Sequence, residues 1–268
     1  MRTIRGVSLI SVTMGVILAS APVMPVHAQT AADAAMDMAN MLDGAGGGVS
    51  GDDLVEVLED AAEAGQPMAL WQLGNMYESG EGVDRDPAKA FGYFSKIADP
   101  YSEVFPNGTN ADIVAESFVK VSEYYKDGLP EAGISENLAE AHKMLLHASD
   151  ILGDADAQYR LAQLYIERPE FGVPPLMAAR YYYSAAQKGH CAAQAQLGHM
   201  LFQGAKGMEP KPIDGLMWMA IAQRTCVGTL DAAWVDQLYV DASALASADE
   251  RDQALARAQT VIPQLGTL

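Results

Sequence analysis

Residues 73–98 read LGNMYESGEGVDRDPAKAFGYFSKIA, and this stretch decides the fold. It opens with the pattern LGxxY (73–77) and closes with the pattern AxxYFxxIA (90–98). Both patterns place apolar or small residues at i, i+3, i+4 and i+7, which is the spacing of one helical face. A glycine-containing turn lies between them. The stretch therefore predicts two helices joined by a short turn.

Both patterns recur along the chain, so the helix pair is a repeat. The first pattern returns at 121–125, 161–165 and 197–201, and the second at 141–148, 178–186 and 215–222. The small residue after each leading Leu or Val lets two helix backbones approach closely. A single helix pair cannot bury its apolar face alone, so the copies are expected to stack into an all-α solenoid.

The joints between the helices repeat as well. Each holds a glycine followed by an apolar residue, which suits the left-handed position that ends a helix. These pairs are Gly82-Val83, Gly133-Ile134, Gly172-Val173 and Gly207-Met208. Prolines near the start of the second helices lose nothing by lacking an N–H there, which favours a helix start. They are Pro87, Pro175 and Pro212.

Together with GxGVxxD (80–86) and KAxxYF (89–94), these patterns closely resemble the Sel1-like repeat, a relative of the tetratricopeptide repeat. The resemblance implies a right-handed α-solenoid over 51–268 with a C-terminal capping helix pair. The predicted repeats are about 67–102, 110–154, 155–190 and 191–226, and the cap is 228–265. The second repeat departs from the pattern, because its turn is longer and Ser122 replaces the usual Gly. Ser247-x-x-Glu250 is a capping box that opens the last helix.

Residues 1–28 have the composition of a secretory signal peptide. Arg2 and Arg5 precede an apolar run, and small residues precede a cut ahead of Gln29. A membrane anchor is the alternative, but the run of about 15 residues is shorter than the roughly 20 that a span needs. The Gly-rich residues 29–50 are expected to form a flexible linker. The predicted location is the periplasm.

The chain has 268 residues and a formal net charge of −18, which becomes −20 once the two arginines of the signal segment are removed. This charge argues against nucleic-acid binding, which needs a basic face, and against docking on anionic lipid. Half of the residues are hydrophobic, so a large core is available. An acidic protein of this kind is expected to bind a basic partner in a pH- and salt-dependent way.

The two cysteines lie at neighbouring ends of one predicted helix pair. Cys191 opens the first helix of the fourth repeat and Cys226 closes the second. In an oxidising compartment this arrangement predicts a disulfide, although two separate buried thiols are the alternative.

Other residues with chemical potential do not form a site. His142 and His147 are five residues apart, about 140° around a helix, which is poor geometry for a shared metal. Gly80-x-Gly82 lacks the strand and the Lys of a phosphate loop. We therefore predict no catalytic residue, no metal and no cofactor.

The remaining functional feature is a surface. In this kind of solenoid the first helices line the concave side, and aromatic residues among polar ones suit a protein-binding groove. Positions two before, two after and five after each leading Leu or Val are expected to face it, although some could instead pack against neighbouring repeats. The candidates are Trp71, Asn75, Glu78, Glu123, Lys126, Tyr159, Gln163, His199 and Phe202.

The signal segment, the acidic balance and the repeat layout together resemble the periplasmic negative regulators of exopolysaccharide production in alphaproteobacteria. The resemblance implies a non-enzymatic protein that binds the periplasmic sensor domain of a two-component histidine kinase and holds the system inactive. It also implies a periplasmic protease as a second partner that relieves the inhibition. The alternatives are an exported Sel1-type hydrolase and a generic envelope-assembly scaffold.

Overall fold

The computed structural model describes residues 51–101 and 110–265. The predicted signal peptide (1–28) and linker (29–50) lie outside the described residues. Within these two ranges there are eleven α-helices and no β-strand. The helices are α1 Gly51–Glu63, α2 Pro67–Ser79, α3 Pro87–Ala98, α4 Ala111–Asp127, α5 Leu138–Leu146, α6 Ala155–Glu167, α7 Pro175–Gln187, α8 Cys191–Gln203, α9 Pro212–Thr225, α10 Ala232–Leu245 and α11 Ala248–Val261.

The helices pack in the order that the repeats predict. Pairs α2–α3, α4–α5, α6–α7 and α8–α9 each form a hairpin, and each pair packs against the next. Helices α10 and α11 both lie against α9 and cover the end of the stack. The predicted all-α solenoid of helix-turn-helix repeats is confirmed.

The two helices of a repeat touch through residues that have almost no side chain. A Cβ atom added to Gly198 of α8 would lie 2.7 Å from the carbonyl oxygen of Gly215 on α9, and the reverse distance is also 2.7 Å. In the first repeat, a Cβ on Gly74 would lie 2.5 Å from the ring of Phe94. The glycine of the first pattern is therefore required by direct contact across the hairpin in the first and fourth repeats.

The leading Leu or Val of each first helix lies in the core. Leu73 and Leu161 are fully buried, and Val121 and Leu197 are 3% exposed. All four equivalent positions are therefore buried, as the helical spacing predicts.

The turns differ from the prediction in one respect. Gly172 and Gly207 do adopt left-handed backbone, with φ of 67° and 81°. They lie inside the turns, however, and do not end the first helices; α8, for example, ends at Gln203 and is capped by Gly204. The reason is that the turn folds back on the helix that precedes it, as when the Lys211 N–H donates to the Leu201 carbonyl at 2.6 Å.

The predicted helix starts are confirmed. Pro87, Pro175 and Pro212 each occupy the first turn of a second helix. Ser247 caps α11, where its hydroxyl accepts the Glu250 N–H and the Glu250 carboxylate accepts the Ser247 N–H.

Cys191 and Cys226 form a disulfide with their Cα atoms 5.3 Å apart. The bond joins the start of α8 to the residue after α9. Cys226 is fully buried in a small cluster with Ala222 and Val235, so the bond also ties the fourth repeat to the first helix of the cap.

Gly215→Ala is expected to lower the free energy of unfolding by about 1–3 kcal/mol, because its Cβ would collide with the backbone of α8. Gly92→Ala on α3 is the matched control, since a Cβ there meets nothing within 4 Å. The control should be neutral or more stable by up to about 1 kcal/mol, because Ala favours helix over Gly. Urea unfolding measures both, and equal midpoints for the two variants would contradict the packing account.

Replacing both cysteines with Ala is expected to lower the free energy of unfolding by about 2–4 kcal/mol, because the cross-link closes a long loop between residues 35 apart. Thermal unfolding with and without reductant measures the effect. Reductant should lower the melting temperature of the wild type to about that of the variant and leave the melting temperature of the variant unchanged. Two free thiols in the mass of the unreduced protein, or a wild type indifferent to reductant, would overturn this expectation.

Candidate partner-binding face

Partly exposed charged and polar side chains connect the first helices of successive repeats. We call this set the polar ladder, and it runs from α2 through α4 and α6 to the start of α8. Its members are Glu78, Lys120, Glu123, Arg160, Asp156 and His190.

The first step of the ladder joins α2 to α4. The Lys120 ammonium lies 2.5 Å from the Glu78 carboxylate. The Tyr124 hydroxyl donates to the same carboxylate at 3.3 Å. Burial, together with the Glu78 charge, raises the pKa of Tyr124 well above its ordinary value, so this phenol remains a donor. Lys120 and Glu78 stay 29% and 28% exposed, which leaves both within reach of a partner.

The second step joins α4 to α6. The Arg160 guanidinium pairs with Glu123 on α4 and also with Asp156 on its own helix, at 2.6 Å. One arginine therefore bridges two carboxylates. Part-exposed ion pairs of this kind stabilise a fold by about 0–1 kcal/mol each, so they contribute little to folding and leave these groups available to a partner.

The third step joins α6 to the start of α8. The Nδ1 atom of His190 accepts the Ala193 N–H at 3.2 Å, which places the ring proton on Nε2. That nitrogen lies 3.3 Å from the Asp156 carboxylate and donates to it. Burial alone would raise the pKa of Asp156, but His190 and Arg160 outweigh it and hold the pKa at about 2. Asp156 is thus a permanent negative charge.

An aromatic side chain lies beside this third step. The ring of Tyr159 stacks on His190 at a centroid distance of 4.6 Å. Its hydroxyl accepts a hydrogen bond from Gln163 at 2.9 Å. The face therefore offers charged groups and one half-buried aromatic ring together.

Glu116 of α4 is a partly buried carboxylate with three acidic neighbours. Burial is the largest cause, and repulsion from Asp154, Asp112 and Asp156 adds to it, so its pKa rises to about 7. Lys120 opposes the shift but does not cancel it.

The predicted surface residues fall into three groups. Glu78, Glu123 and Tyr159 take part in the polar ladder or contact it. Lys126 and Gln163 line a small cleft beside Glu123 and Arg160. The others lie elsewhere: Trp71 is 7% exposed and packs on Phe94, Asn75 donates to the backbone of its own helix, and His199 and Phe202 are half-buried on α8.

Trp71 is a correction to the predicted groove. Its ring centroid lies 5.2 Å from that of Phe94, inside the first repeat. The ring is turned into the hairpin because Gly74, one turn further along α2, leaves room for the Phe94 ring beside the helix. Trp71 is therefore a core residue.

Sequence reasoning missed Lys120, Arg160, Asp156 and His190. The Asp156–Arg160 pair carries a usable signal, because opposite charges at i and i+4 on a helix attract each other. Lys120 and Arg160 also share a position, since each directly precedes a leading Val or Leu. His190 gives no such signal, because its role depends on the angle at which α8 begins.

Three further observations concern the ranges that the structure describes. No group of three or more His, Cys, Asp or Glu residues there could hold a metal ion. Both cysteines of the chain are in the disulfide. None of the described helices has the length and apolar character needed to cross a membrane.

The repeat architecture is that of a known class. Residues 67–99, 155–190 and 191–222 match the Sel1 repeat model, so the chain carries Sel1 repeats, as its motifs indicate. A Sel1 repeat protein from Oxalobacter formigenes has a similar fold, with a TM-score of 0.56, 24% identity and 87% of each chain covered. That likeness concerns the fold alone.

Two curated relatives are more informative about function. Over 210 residues the chain is 28% identical to the exopolysaccharide production negative regulator of Rhizobium meliloti (strain 1021), covering 78% of this chain and 75% of the relative. It is 27% identical to the protein of the same name from Rhizobium leguminosarum bv. viciae, covering 78% and 76%. The resemblance to this group of regulators is confirmed.

Glu116→Gln is expected to stabilise the protein at pH 8 by about 1–2 kcal/mol, and much less at pH 5. The pKa of Glu116 is about 7 when folded against a usual 4.5. Between these values the folded state keeps a proton that the unfolded state has lost, so the wild type loses stability as pH rises. Urea unfolding at both pH values measures this, with Glu56→Gln at an exposed site as the control. The same stability difference at both pH values would rule out the shift.

Proposed function

We propose that the chain is a periplasmic negative regulator of exopolysaccharide production. In this proposal it acts by binding the sensor domain of a membrane histidine kinase and keeping that kinase inactive. The observation that carries the proposal is the similarity to two exopolysaccharide production negative regulators over about three quarters of their length. A Sel1-repeat solenoid, in which successive repeats present one extended face, suits the binding of another protein.

The polar ladder is the part of the surface that we assign to this binding. It presents Glu78, Glu123 and Asp156 in fixed positions on successive first helices, each partly exposed. Fixed carboxylates reduce the ordering cost of association and match basic side chains on a partner. Lys120 and Arg160 hold these carboxylates in place, and a partner's cations would compete for them.

The mechanism follows from rigidity and charge. A sensor domain that signals by changing shape is held in one state by any ligand that binds that state more tightly. A rigid face spanning three repeats is suited to do this. Proteolysis or release of the regulator then restores signalling. Export through residues 1–28 would place the chain in the same compartment as the sensor domain.

Binding of the purified chain to the isolated kinase sensor domain tests the proposal directly. Glu78→Gln combined with Glu123→Gln is expected to weaken the complex at least tenfold, because two fixed acceptors are lost. The control is Asp249→Asn combined with Asp252→Asn on α11, two exposed carboxylates of the cap, which should change affinity less than twofold. Raising the salt concentration should weaken the wild-type complex.

Cells provide the second half of this test. Deletion of the gene should raise exopolysaccharide and kinase-dependent transcription, and the ladder variant should fail to restore repression at normal protein levels. A deletion with no effect on either readout, or turnover of peptidoglycan or a β-lactam by the purified chain, would refute the proposal. Unchanged binding of the ladder variant would reject the assigned face alone.

A further inference from the structure

The first two junctions between repeats share a ring contact. At the first junction, Phe91 of α3 meets Tyr125 of α4 edge-on, with centroids 5.7 Å apart. At the second, His142 of α5 meets Tyr165 of α6 at 5.6 Å, and the histidine Nε2 lies 2.8 Å from the tyrosine oxygen. In both cases a ring from one repeat covers a ring from the next.

The third junction has no ring at either of these two equivalent positions. Phe91 and His142 each directly follow the first Ala of the second pattern, and the residue at that position in α7 is Ala179. Tyr125 and Tyr165 each lie four residues after the leading Val or Leu, and the residue there in α8 is Leu201. Ala179 and Leu201 now line an open cavity of about 520 Å³ between α7, α8 and the turn before α9.

The turn also leaves this cavity open. In the third repeat, Phe171 directly precedes the turn glycine Gly172 and packs against His142 at 5.2 Å. In the fourth repeat the residue before Gly207 is Lys206, which is exposed and lies outside the cavity lining. Three rings of the second junction are therefore replaced by residues that do not fill the space.

The walls of the cavity are apolar, and part of them faces solvent. Leu197 and Trp218 form buried floor, whereas Leu176 and Tyr183 at the edge are each 46% exposed. The Tyr183 ring meets Trp218 edge-on at 6.0 Å. A concave apolar surface with exposed aromatic and aliphatic edges is typical of a binding site.

The rim of the cavity is cationic, unlike the chain as a whole. Arg180 and Lys211 line it, and neither forms an ion pair with any described residue. Of the two carboxylates there, Asp214 is paired with Arg257 of the cap, which leaves Glu209. In a chain of net charge −18, unpaired cations beside an apolar hollow favour a ligand that combines a large apolar group with negative charge.

We propose that this cavity, which we call the α7–α8 pocket, docks a peptide segment of a partner protein that inserts one large apolar side chain, with Asp or Glu next to it. The inserted side chain takes the place that Phe91 and His142 take at the other junctions, and the acidic neighbours pair with Arg180 and Lys211. The α7–α8 pocket is separate from the polar ladder, and the proposal does not rest on the proposed function.

The test fills the pocket with the residues of the first junction. A phage-displayed library of random dodecapeptides is selected on the purified chain, and the enriched peptides are synthesised and titrated by fluorescence polarisation. Ala179→Phe combined with Leu201→Tyr should weaken their binding at least tenfold while keeping or raising the melting temperature. Leu201→Tyr alone gives a second filled variant if the double variant does not fold.

Charge variants complete the experiment. Arg180→Glu should weaken the same peptides several-fold, and Arg224→Glu, at an exposed site near the end of α9, is the control and should not. Enriched peptides that bind the filled variants equally, or that carry Lys or Arg beside the apolar residue, would overturn the proposal. So would a pocket that binds laurate but no peptide, or a dimer of the wild type that the filled variants convert to monomer.

Discussion

The structure depends on the packing of the two helices against each other within each repeat, which is closest between α8 and α9. At Gly198 and Gly215 the carbonyl of one glycine lies where a side chain of the other would begin. Only a residue without Cβ permits this approach in the fourth repeat, where Leu197, the leading Leu of α8, is 3% exposed. In the second and third repeats the equivalent positions are Ser122 and Ala162, which are also buried. The polar ladder and the ring contacts at the first two junctions both depend on this stacking of helix pairs.

The sequence predicts most of this fold because the signals are local. The spacing of small and apolar residues indicates helices, the glycine turns and prolines indicate their limits, and the capping box at Ser247 marks the last helix. The disulfide is also predictable, since the two ends of one hairpin are necessarily close. The turn glycines are the exception, because hydrogen bonds back to the first helix end that helix earlier than the glycines suggest.

The site is less predictable because it depends on how each repeat is rotated against the next. The i,i+4 pair Asp156–Arg160 lies within one helix and could have been read from the sequence. The Lys120–Glu78 pair joins residues 42 positions apart, and nothing local indicates it. Trp71 shows the opposite failure: its position suggests an exposed ring, but the space beside Gly74 turns it into the core. The sequence does indicate the α7–α8 pocket, because Ala179 is small where the first two repeats have Phe91 and His142. The volume of the pocket follows only from the packing around it.

Charge organises the two surfaces differently. On the polar ladder, cations are paired with carboxylates and hold them outward, which suits a basic partner. At the α7–α8 pocket, Arg180 and Lys211 have no such pairing with the part of the chain that the structure describes, which suits an acidic segment. The polar ladder therefore suits a basic partner surface, and the α7–α8 pocket suits an acidic segment.

Hydrogen exchange of the chain, alone and with the kinase sensor domain, tests the central claim most directly. The account predicts that the sensor domain slows exchange in α2, α4 and α6, the helices that carry the ladder, and leaves α11 unchanged. Protection confined to α11, or no protection even with the sensor domain in large excess, would contradict it.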